Sequence, residues 1–172
     1  MLFRSISLTS EPGKGSSFEI LLPASQERAD VEEHHSTGRS LKGLTVLMMD
    51  DDEVILRVGQ NILQRLGCEP LVARDGEEAA RIFKREKELQ GTIDLFILDL
   101  TIPGASGGKD ALLLLRNIDP QVRALISSGY SNDPVMVHYG SHGFNGCIVK
   151  PYKIEEMEEA LLLALEDNEE TG

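Results

Sequence analysis

One stretch of the chain decides the fold: Leu44-Thr45-Val46-Leu47-Met48-Met49-Asp50-Asp51-Asp52-Glu53. A short, mostly apolar run stops at four consecutive acidic residues, which predicts a buried strand that ends at a solvent-facing edge. The residues that follow have helical periodicity, and Gly67 is a natural C-terminal stop for that helix. The apolar face of the helix comprises Ile55, Val58, Ile62, Leu63 and Leu66. The region from residue 44 onward therefore begins with a strand and a helix.

This alternation continues through the rest of the chain. Short apolar strands are predicted at 70–73, 93–99, 122–127 and 146–149. Helices are predicted to begin near residues 75, 109, 133 and 154, the third of them running to about Ser141. Parallel strands covered by crossover helices on both faces need this pattern. The predicted fold class is α/β, a doubly wound sheet of five parallel strands flanked by five helices.

The first 43 residues have a different character. Residues 6–23 alternate apolar and polar side chains on either side of Pro12-Gly13-Lys14-Gly15, a pattern that predicts a β-hairpin. Residues 24–43 are mostly polar and aperiodic, which is typical of a linker. The predicted organisation is a hairpin at 1–23, a linker at 24–43 and an α/β domain at 44–167.

The charge of the chain argues against two classes of partner. The 172 residues carry a formal charge of −12, nearly all of it after residue 43. Such a surface repels phosphate backbones and anionic lipids, so we expect neither nucleic acid nor membrane contact. Only two cysteines are present, Cys68 and Cys147, which favours a reducing, cytoplasmic location. No apolar run approaches the ~18 residues needed to span a bilayer.

Polar side chains follow four of the five predicted strands. They are Asp50-Asp51, Asp99, Ser127-Ser128 and Lys150. The carboxyl ends of parallel strands meet at one edge of a sheet, so these groups should converge. A divalent cation would make a cluster of carboxylates tolerable, and an all-oxygen ligand set suits Mg²⁺. Because Mg²⁺ typically recruits phosphate, the pattern indicates phosphoryl transfer, with Lys150 and Ser128 suited to bind phosphoryl oxygens.

These motifs resemble the receiver domain of bacterial two-component response regulators. The resemblance covers residues 44–167 and rests on motifs at five ordered positions. They are Met49-Asp50-Asp51, Leu98-Asp99-Leu100, Thr101-Ile102-Pro103, Ser128-Gly129 and Val149-Lys150-Pro151. It implies a flavodoxin-like sheet with strand order 2-1-3-4-5. The aromatic switch residue usual in the family would fall at Cys147, which argues against aromatic coupling here.

The resemblance also implies a role for each residue of the edge. Asp99 would accept the phosphoryl group, and Asp50, Asp51, Asp99 and the backbone carbonyl of Thr101 would hold Mg²⁺. Ser128 would be the switch hydroxyl. Lys150 would contact the phosphoryl group, next to a Lys150–Pro151 peptide bond that is often cis in this family. Because three aspartates are consecutive, the acidic pair could also be Asp51/Asp52. Ser127 is likewise an alternative to Ser128 as the switch hydroxyl.

The implied partners are proteins. A receiver takes its phosphoryl group from a histidine kinase or a histidine phosphotransfer protein and signals through a protein partner; a homodimer also stays open. The segment Ser10–Phe18, followed by Ile20-Leu21-Leu22-Pro23, is similar to the last strands of the histidine kinase ATP-binding domain. Joined to a receiver, it resembles the tail of a hybrid sensor histidine kinase. Since the phosphoacceptor histidine, the nucleotide-binding asparagine and the ATP lid are missing, we expect no independent kinase activity.

Two other functions fit parts of the pattern. A phosphatase of the haloacid dehalogenase type also uses an aspartate at a strand end with Mg²⁺, but it needs a second acid where this chain has Thr101. A pseudo-receiver that is never phosphorylated would use the same fold purely for protein interaction. Calorimetric titration with Mg²⁺ separates the pseudo-receiver from the phosphoacceptor.

Overall fold

The computed structural model describes residues 5–21, 40–104, 107–130 and 133–166. Two compact units are distinguished, with the division after residue 35. Most of the predicted linker at 24–43 lies outside the described residues. At its end, Leu41 is buried with the core of the second unit, and the Gly43 N–H donates to the Gly67 carbonyl at 2.8 Å.

The first unit contains the predicted hairpin. Strand β1 (Ser5–Glu11) pairs antiparallel with β2 (Gly15–Leu21). Ile6 lies opposite Ile20 and Leu8 opposite Phe18, and each of these four side chains is more than half exposed. A two-stranded hairpin without a core is marginal in water, and this one has no buried residue.

The second unit is built on a five-stranded parallel sheet. Its strands are β3 (Thr45–Met49), β4 (Glu69–Ala73), β5 (Leu95–Asp99), β6 (Ala124–Ser128) and β7 (Gly146–Val149). They lie in the order β4-β3-β5-β6-β7 and every neighbouring pair is parallel. Counted within this unit, the order is 2-1-3-4-5, which confirms the predicted fold class.

Helices cover both faces of the sheet. They are α1 (Glu53–Arg65), α2 (Gly76–Glu88), α3 (Gly108–Arg116), α4 (Pro134–Val137) and α5 (Ile154–Leu165). Alternate residues of β3 enter two cores: Leu47 and Met49 pack with residues of α2, α3 and α4, whereas Val46 and Met48 pack with α1 and α5. None of the helices in the described ranges is long and apolar enough to cross a membrane.

The predicted third helix of this series is shorter than expected. Asp133 caps its start, and Pro134 occupies the first turn as predicted. The α-helix nevertheless ends at Val137, and a 3₁₀ turn, Tyr139–His142, follows it. Two β-branched valines and Gly140 are weak helix formers, so the segment has little intrinsic preference to continue as α-helix.

Helix α1 presents a slightly different face from the predicted one. Val58 is 40% exposed, whereas its neighbour Gly59 is buried. A Cβ atom on Gly59 would lie 2.2 Å from Met48 Cε, so the glycine allows the helix to approach the sheet closely. The prediction for Val58 was wrong because a contact between α1 and β3, rather than the apolar pattern, sets the rotation of the helix.

Candidate functional site

The three successive aspartates follow β3 and have different environments. Asp50 is 2% exposed, and its N–H donates to the Ala73 carbonyl of β4 at 3.1 Å. Asp52 caps α1 instead, since its Oδ1 accepts from the Val54 N–H at 2.7 Å. Asp50 Oδ1 in turn accepts from the Asp52 N–H at 3.0 Å. The local geometry therefore assigns the third aspartate to the helix end and leaves the first two at the sheet edge.

Asp99 ends the neighbouring strand β5 and is 6% exposed. Asp50, Asp51 and Asp99 each offer a carboxylate oxygen, and these oxygens lie within 4.8 Å of one another. Asp51 is the exposed member of the three. Folding thus brings acidic side chains from two parallel strands to one edge, as their positions at the strand ends predicted.

Lys150 follows β7 and reaches across the sheet edge to two of these carboxylates. Its Nζ donates to Asp99 Oδ1 at 2.7 Å and lies 2.5 Å from Asp50 Oδ2. The lysine side chain is 14% exposed, so both contacts are largely screened from solvent. Asp50 Oδ2 accepts no well-aligned hydrogen bond from the described residues, and its contact with Lys150 is one of charge.

Burial and neighbouring charges both shift the pKa values of Asp99 and Lys150. Burial raises the pKa of Asp99, and the charges of Asp50 and Asp51 add to this, so that together they outweigh the opposing effect of Lys150. Burial alone would lower the pKa of Lys150, but its contacts with Asp50 and Asp99 outweigh burial and raise it. Both groups therefore favour the protonated form, Asp99 mainly because it is buried and Lys150 because it contacts two carboxylates.

The segment after Asp99 packs closely against the helix that follows it. The Leu100 N–H donates to the Ser127 carbonyl of β6 at 2.8 Å. A Cβ atom on Gly107 would lie 2.5 Å from the Leu100 carbonyl oxygen, and one on Gly108 would lie 2.9 Å from that of Asp99. Sequence reasoning missed this role of the glycine pair, although two successive glycines before a helix were a visible signal. The Thr101 side chain is exposed.

The two serines at the end of β6 differ in their partners. Ser127 pairs with Asp99 in the strand register, and Ser128 is the next residue toward the same edge. Ser128 Oγ accepts from the Tyr130 N–H at 3.1 Å. Ser127 Oγ instead hydrogen-bonds the Tyr152 hydroxyl at 2.9 Å, a contact that the sequence did not suggest.

The side chains present fit a hard divalent cation. The ligand atoms available are carboxylate oxygens, which Mg²⁺ prefers. Asp50 Oδ2 is buried and contacts the ammonium of Lys150 without a well-aligned hydrogen bond from the described residues, which leaves it lone-pair capacity for a ligand. A dication would also offset the excess negative charge that Lys150 leaves uncompensated.

The chain is similar to a known family of signalling domains and to a sensor kinase. The family model for the response regulator receiver domain matches residues 46–162. The sensor kinase CckA of Brucella abortus (strain 2308) is 29% identical over 157 residues, covering 86% of this chain; the chain spans only 16% of that protein's length.

Solved structures show the same fold. A receiver domain protein from Clostridium thermocellum has a TM-score of 0.61 at 26% identity, and the match covers 71% of this chain and 94% of that one. The receiver domain of the sensor histidine kinase PA1611 from Pseudomonas aeruginosa PAO1 has a TM-score of 0.61 at 22% identity, covering 72% and 98%. Its structure contains a magnesium ion coordinated in the active-site cleft.

The family match spans more than half of the chain, and the sheet order agrees with it. This protein therefore belongs to the response regulator receiver domain family of two-component systems.

Proposed function

We propose that this receiver accepts a phosphoryl group from a phosphohistidine onto Asp99, with Mg²⁺ bound at the same edge of the sheet. A carboxylate oxygen of Asp99 attacks the phosphorus, and the bond from phosphorus to the histidine nitrogen breaks. The electron pair of that bond stays on the imidazole, and Asp99 becomes an acyl phosphate.

Other side chains of the edge would stabilise the phosphoryl oxygens. Lys150 already contacts Asp99 and Asp50, so its ammonium lies beside the point of attack. Ser128 would donate its hydroxyl to a second oxygen as the phosphoryl group arrives. Mg²⁺, held by Asp50, Asp51, Asp99 and the Thr101 carbonyl, would compensate negative charge on the phosphoryl oxygens.

The convergence of Asp50, Asp51, Asp99 and Lys150 carries this proposal. Structural acids at a surface are normally spread apart or paired with basic side chains, whereas here Asp50 and Asp99 share the ammonium of Lys150 and the carboxylate of Asp51 lies beside them. Burying such a cluster is unfavourable unless a ligand of opposite charge completes it. The placement of Asp52 at the helix end favours Asp50/Asp51 over Asp51/Asp52 as the metal-binding pair.

Mass spectrometry after incubation with acetyl phosphate tests the assignment of Asp99. We expect the wild-type chain to gain one phosphoryl group with Mg²⁺ and none with EDTA. Asp99→Asn should abolish the gain, whereas Asp110→Asn, at an exposed position in the first turn of α3, should leave it intact. A gain that persists in Asp99→Asn would show that another residue is the phosphoacceptor.

Calorimetric titration with Mg²⁺ distinguishes the alternatives. A pseudo-receiver would bind no Mg²⁺ and gain no phosphoryl group, and both results together would overturn the proposal. The family match favours a phosphoacceptor over a phosphatase of the haloacid dehalogenase type. Turnover of a generic phosphate ester would favour the phosphatase instead.

The proposed donor is a histidine kinase or a histidine phosphotransfer protein in the cytoplasm. After phosphorylation, the domain would signal through a protein partner with a basic or apolar patch, because its own charge is strongly negative. Binding of a phosphorylated histidine phosphotransfer protein, followed by appearance of the phosphoryl group on the receiver, tests the donor directly. Sedimentation analysis with and without phosphorylation tests whether a homodimer forms.

The hairpin is proposed to be the remnant of a kinase ATP-binding domain at 1–23, joined by the linker at 24–43 to the receiver at 44–167. Its antiparallel pairing and exposed apolar face suit the edge of a larger sheet. The match to CckA covers 86% of the chain, which is longer than the receiver region alone. The upstream genomic sequence tests this: we expect it to encode the rest of a sensor kinase in the same reading frame.

A further inference from the structure

Two buried hydroxyl groups lie beside the site and have no part in the proposed transfer. Ser127 Oγ and Tyr152 Oη are 2.9 Å apart. Ser127 is fully buried and Tyr152 is 8% exposed. Burial raises the pKa of Tyr152 to about 12, so the phenol is protonated at neutral pH and the contact is a neutral hydrogen bond.

The stability of the fold does not require the hydrogen bond between Ser127 and Tyr152. Alanine and phenylalanine would place apolar atoms in the same region without burying any polar group. A neutral hydrogen bond adds little net stability to the folded state. If one hydroxyl were removed, burial of the other without a partner would be unfavourable. What a buried hydrogen bond does supply is direction, because it holds two segments at one distance and angle.

The first of those segments connects to Asp99. The Ser127 carbonyl accepts from the N–H of Leu100, the residue after Asp99, at 2.8 Å. Ser127 also lies opposite Asp99 in the register of β5 and β6. Any shift of Ser127 along its strand would therefore move the phosphoacceptor.

The second segment carries Lys150. Tyr152 follows Lys150 by two residues, across the cis Lys150–Pro151 bond. The Lys150 N–H donates to the Ser128 carbonyl at 2.9 Å, so the main chain of this segment is bonded to β6 before Pro151. The hydroxyl pair joins the same segment to β6 a second time, after Pro151.

We propose that Ser127 and Tyr152 are a positioning pair that fixes Lys150 relative to Asp99. A lysine side chain has a flexible four-carbon stem, so the placement of its ammonium depends on how firmly its main chain is held. With two attachments to β6, the backbone at Lys150 keeps one position while the phosphoryl group is transferred. This inference rests on the proposed phosphorylation of Asp99.

The test uses the full chain and the variants Tyr152→Phe, Ser127→Ala and their combination. Phosphorylation by acetyl phosphate is followed at several donor concentrations with saturating Mg²⁺. Each single variant should lower the maximal rate constant about three- to tenfold, the loss expected for one hydrogen bond. The half-saturating donor concentration and the calorimetric Mg²⁺ affinity should stay at the wild-type values. A purely structural role would not lower the maximal rate constant of folded protein.

The double variant shows whether the two hydroxyls act as a unit. Its rate constant should equal that of the slower single variant, because either substitution already removes the hydrogen bond. Tyr139→Phe, which removes a phenol hydroxyl at a 36% exposed position, is the matched control and should behave as wild type. Circular dichroism establishes that each variant is folded, and if one single variant is unfolded the other decides the outcome.

The outcomes separate this inference from the proposed function. Wild-type rates in both single variants would overturn the positioning role while leaving Asp99 as phosphoacceptor. A double variant slowed by the product of the two single effects would show that the hydroxyls act independently. Absence of phosphorylation in the wild-type chain would overturn both proposals.

Discussion

The site has two halves that achieve their geometry in opposite ways. The carboxylate half follows β3 and β5 and consists of Asp50, Asp51 and Asp99. The hydroxyl half follows β6 and β7 and consists of Ser127, Ser128 and Tyr152. In the carboxylate half like charges lie within 4.8 Å of one another. In the hydroxyl half every hydroxyl has a hydrogen-bond partner.

The contrast shows which half of the site is less stable on its own. In the hydroxyl half, Ser127 and Tyr152 are paired with each other without a ligand, so this pair contributes rigidity. The carboxylate half depends on Lys150 for its counter-charge, and burial, with the charges of Asp50 and Asp51 adding to it, raises the pKa of Asp99. We therefore expect the free energy of unfolding to fall when a positive charge is removed from the site and to change little when a negative charge is removed.

Removing Lys150 should have the largest effect. Lys150→Met leaves the carboxylates of Asp50 and Asp99 buried without their counter-ion and should lower the free energy of unfolding by about 3 kcal/mol. Urea denaturation in EDTA measures it. Lys153→Met, which breaks an exposed ion pair with Glu156, is the control and should be neutral. A loss for Lys150→Met no larger than that of the control would contradict the charge imbalance.

Gly107→Ala should disturb the connection between the halves. The new Cβ would meet the Leu100 carbonyl, a backbone atom that cannot rotate away. We expect the free energy of unfolding to fall by about 1–3 kcal/mol. Gly129→Ala, where a Cβ would meet nothing within 4 Å, should be close to wild type in the same denaturation experiment. Equal stability of the two variants would show that the approach at Gly107 is not tight.

Asp51→Asn separates binding from stability within the carboxylate half. We expect Mg²⁺ affinity, measured by calorimetry, to fall about tenfold, or ~1.4 kcal/mol. Without Mg²⁺ the variant should be at least as stable as wild type, since a like charge has been removed. Asp52→Asn should keep both the affinity and the helix cap, because asparagine caps helices well. A greater loss of affinity in Asp52→Asn would favour the Asp51/Asp52 register.

Alkaline pH should affect the hydroxyl half more mildly. Burial raises the pKa of Tyr152 from 10.0, the value of a free tyrosine, to about 12, so the folded state keeps the phenol proton at pH values where the unfolded chain loses it. The contribution of Tyr152 to the free energy of unfolding is therefore complete below pH 10. It falls as the pH rises above 10, by about 1 kcal/mol at pH 11. Denaturation of wild type and Tyr152→Phe across this range measures the contribution of Tyr152 as the difference between their slopes, because burial also raises the pKa of the Cys68 thiol, to about 11, in both proteins. Equal slopes in the two proteins would show that Tyr152 contributes nothing to the pH dependence.

Much of the site could be read from the chain because its signals are local. The apolar run that ends at Asp50 and the one that ends at Asp99 each identify a strand and its terminus. Parallel strands must end at a shared edge, so the convergence of Asp50, Asp51, Asp99 and Lys150 followed from the fold class. The hairpin was equally clear from its turn residues and its period of two.

Other features depended on distances that a linear pattern does not encode. The rotation of α1 follows from the contact of Gly59 with Met48, and apolar periodicity alone placed Val58 inward instead. The role of Asp52 as a cap became visible only with the helix start in place.

Sequence periodicity was sufficient to predict the strands of the sheet, the order of strands and helices along the chain, and the edge where charged groups lie. Each of these depends on residues that are close together in the chain. Tertiary packing alone decided the contact of Lys150 with Asp50, the approach of Gly107 to Leu100 and the hydrogen bond between Ser127 and Tyr152. Each of these joins segments far apart in the chain, and their separation is set by how side chains fill the space between strands and helices.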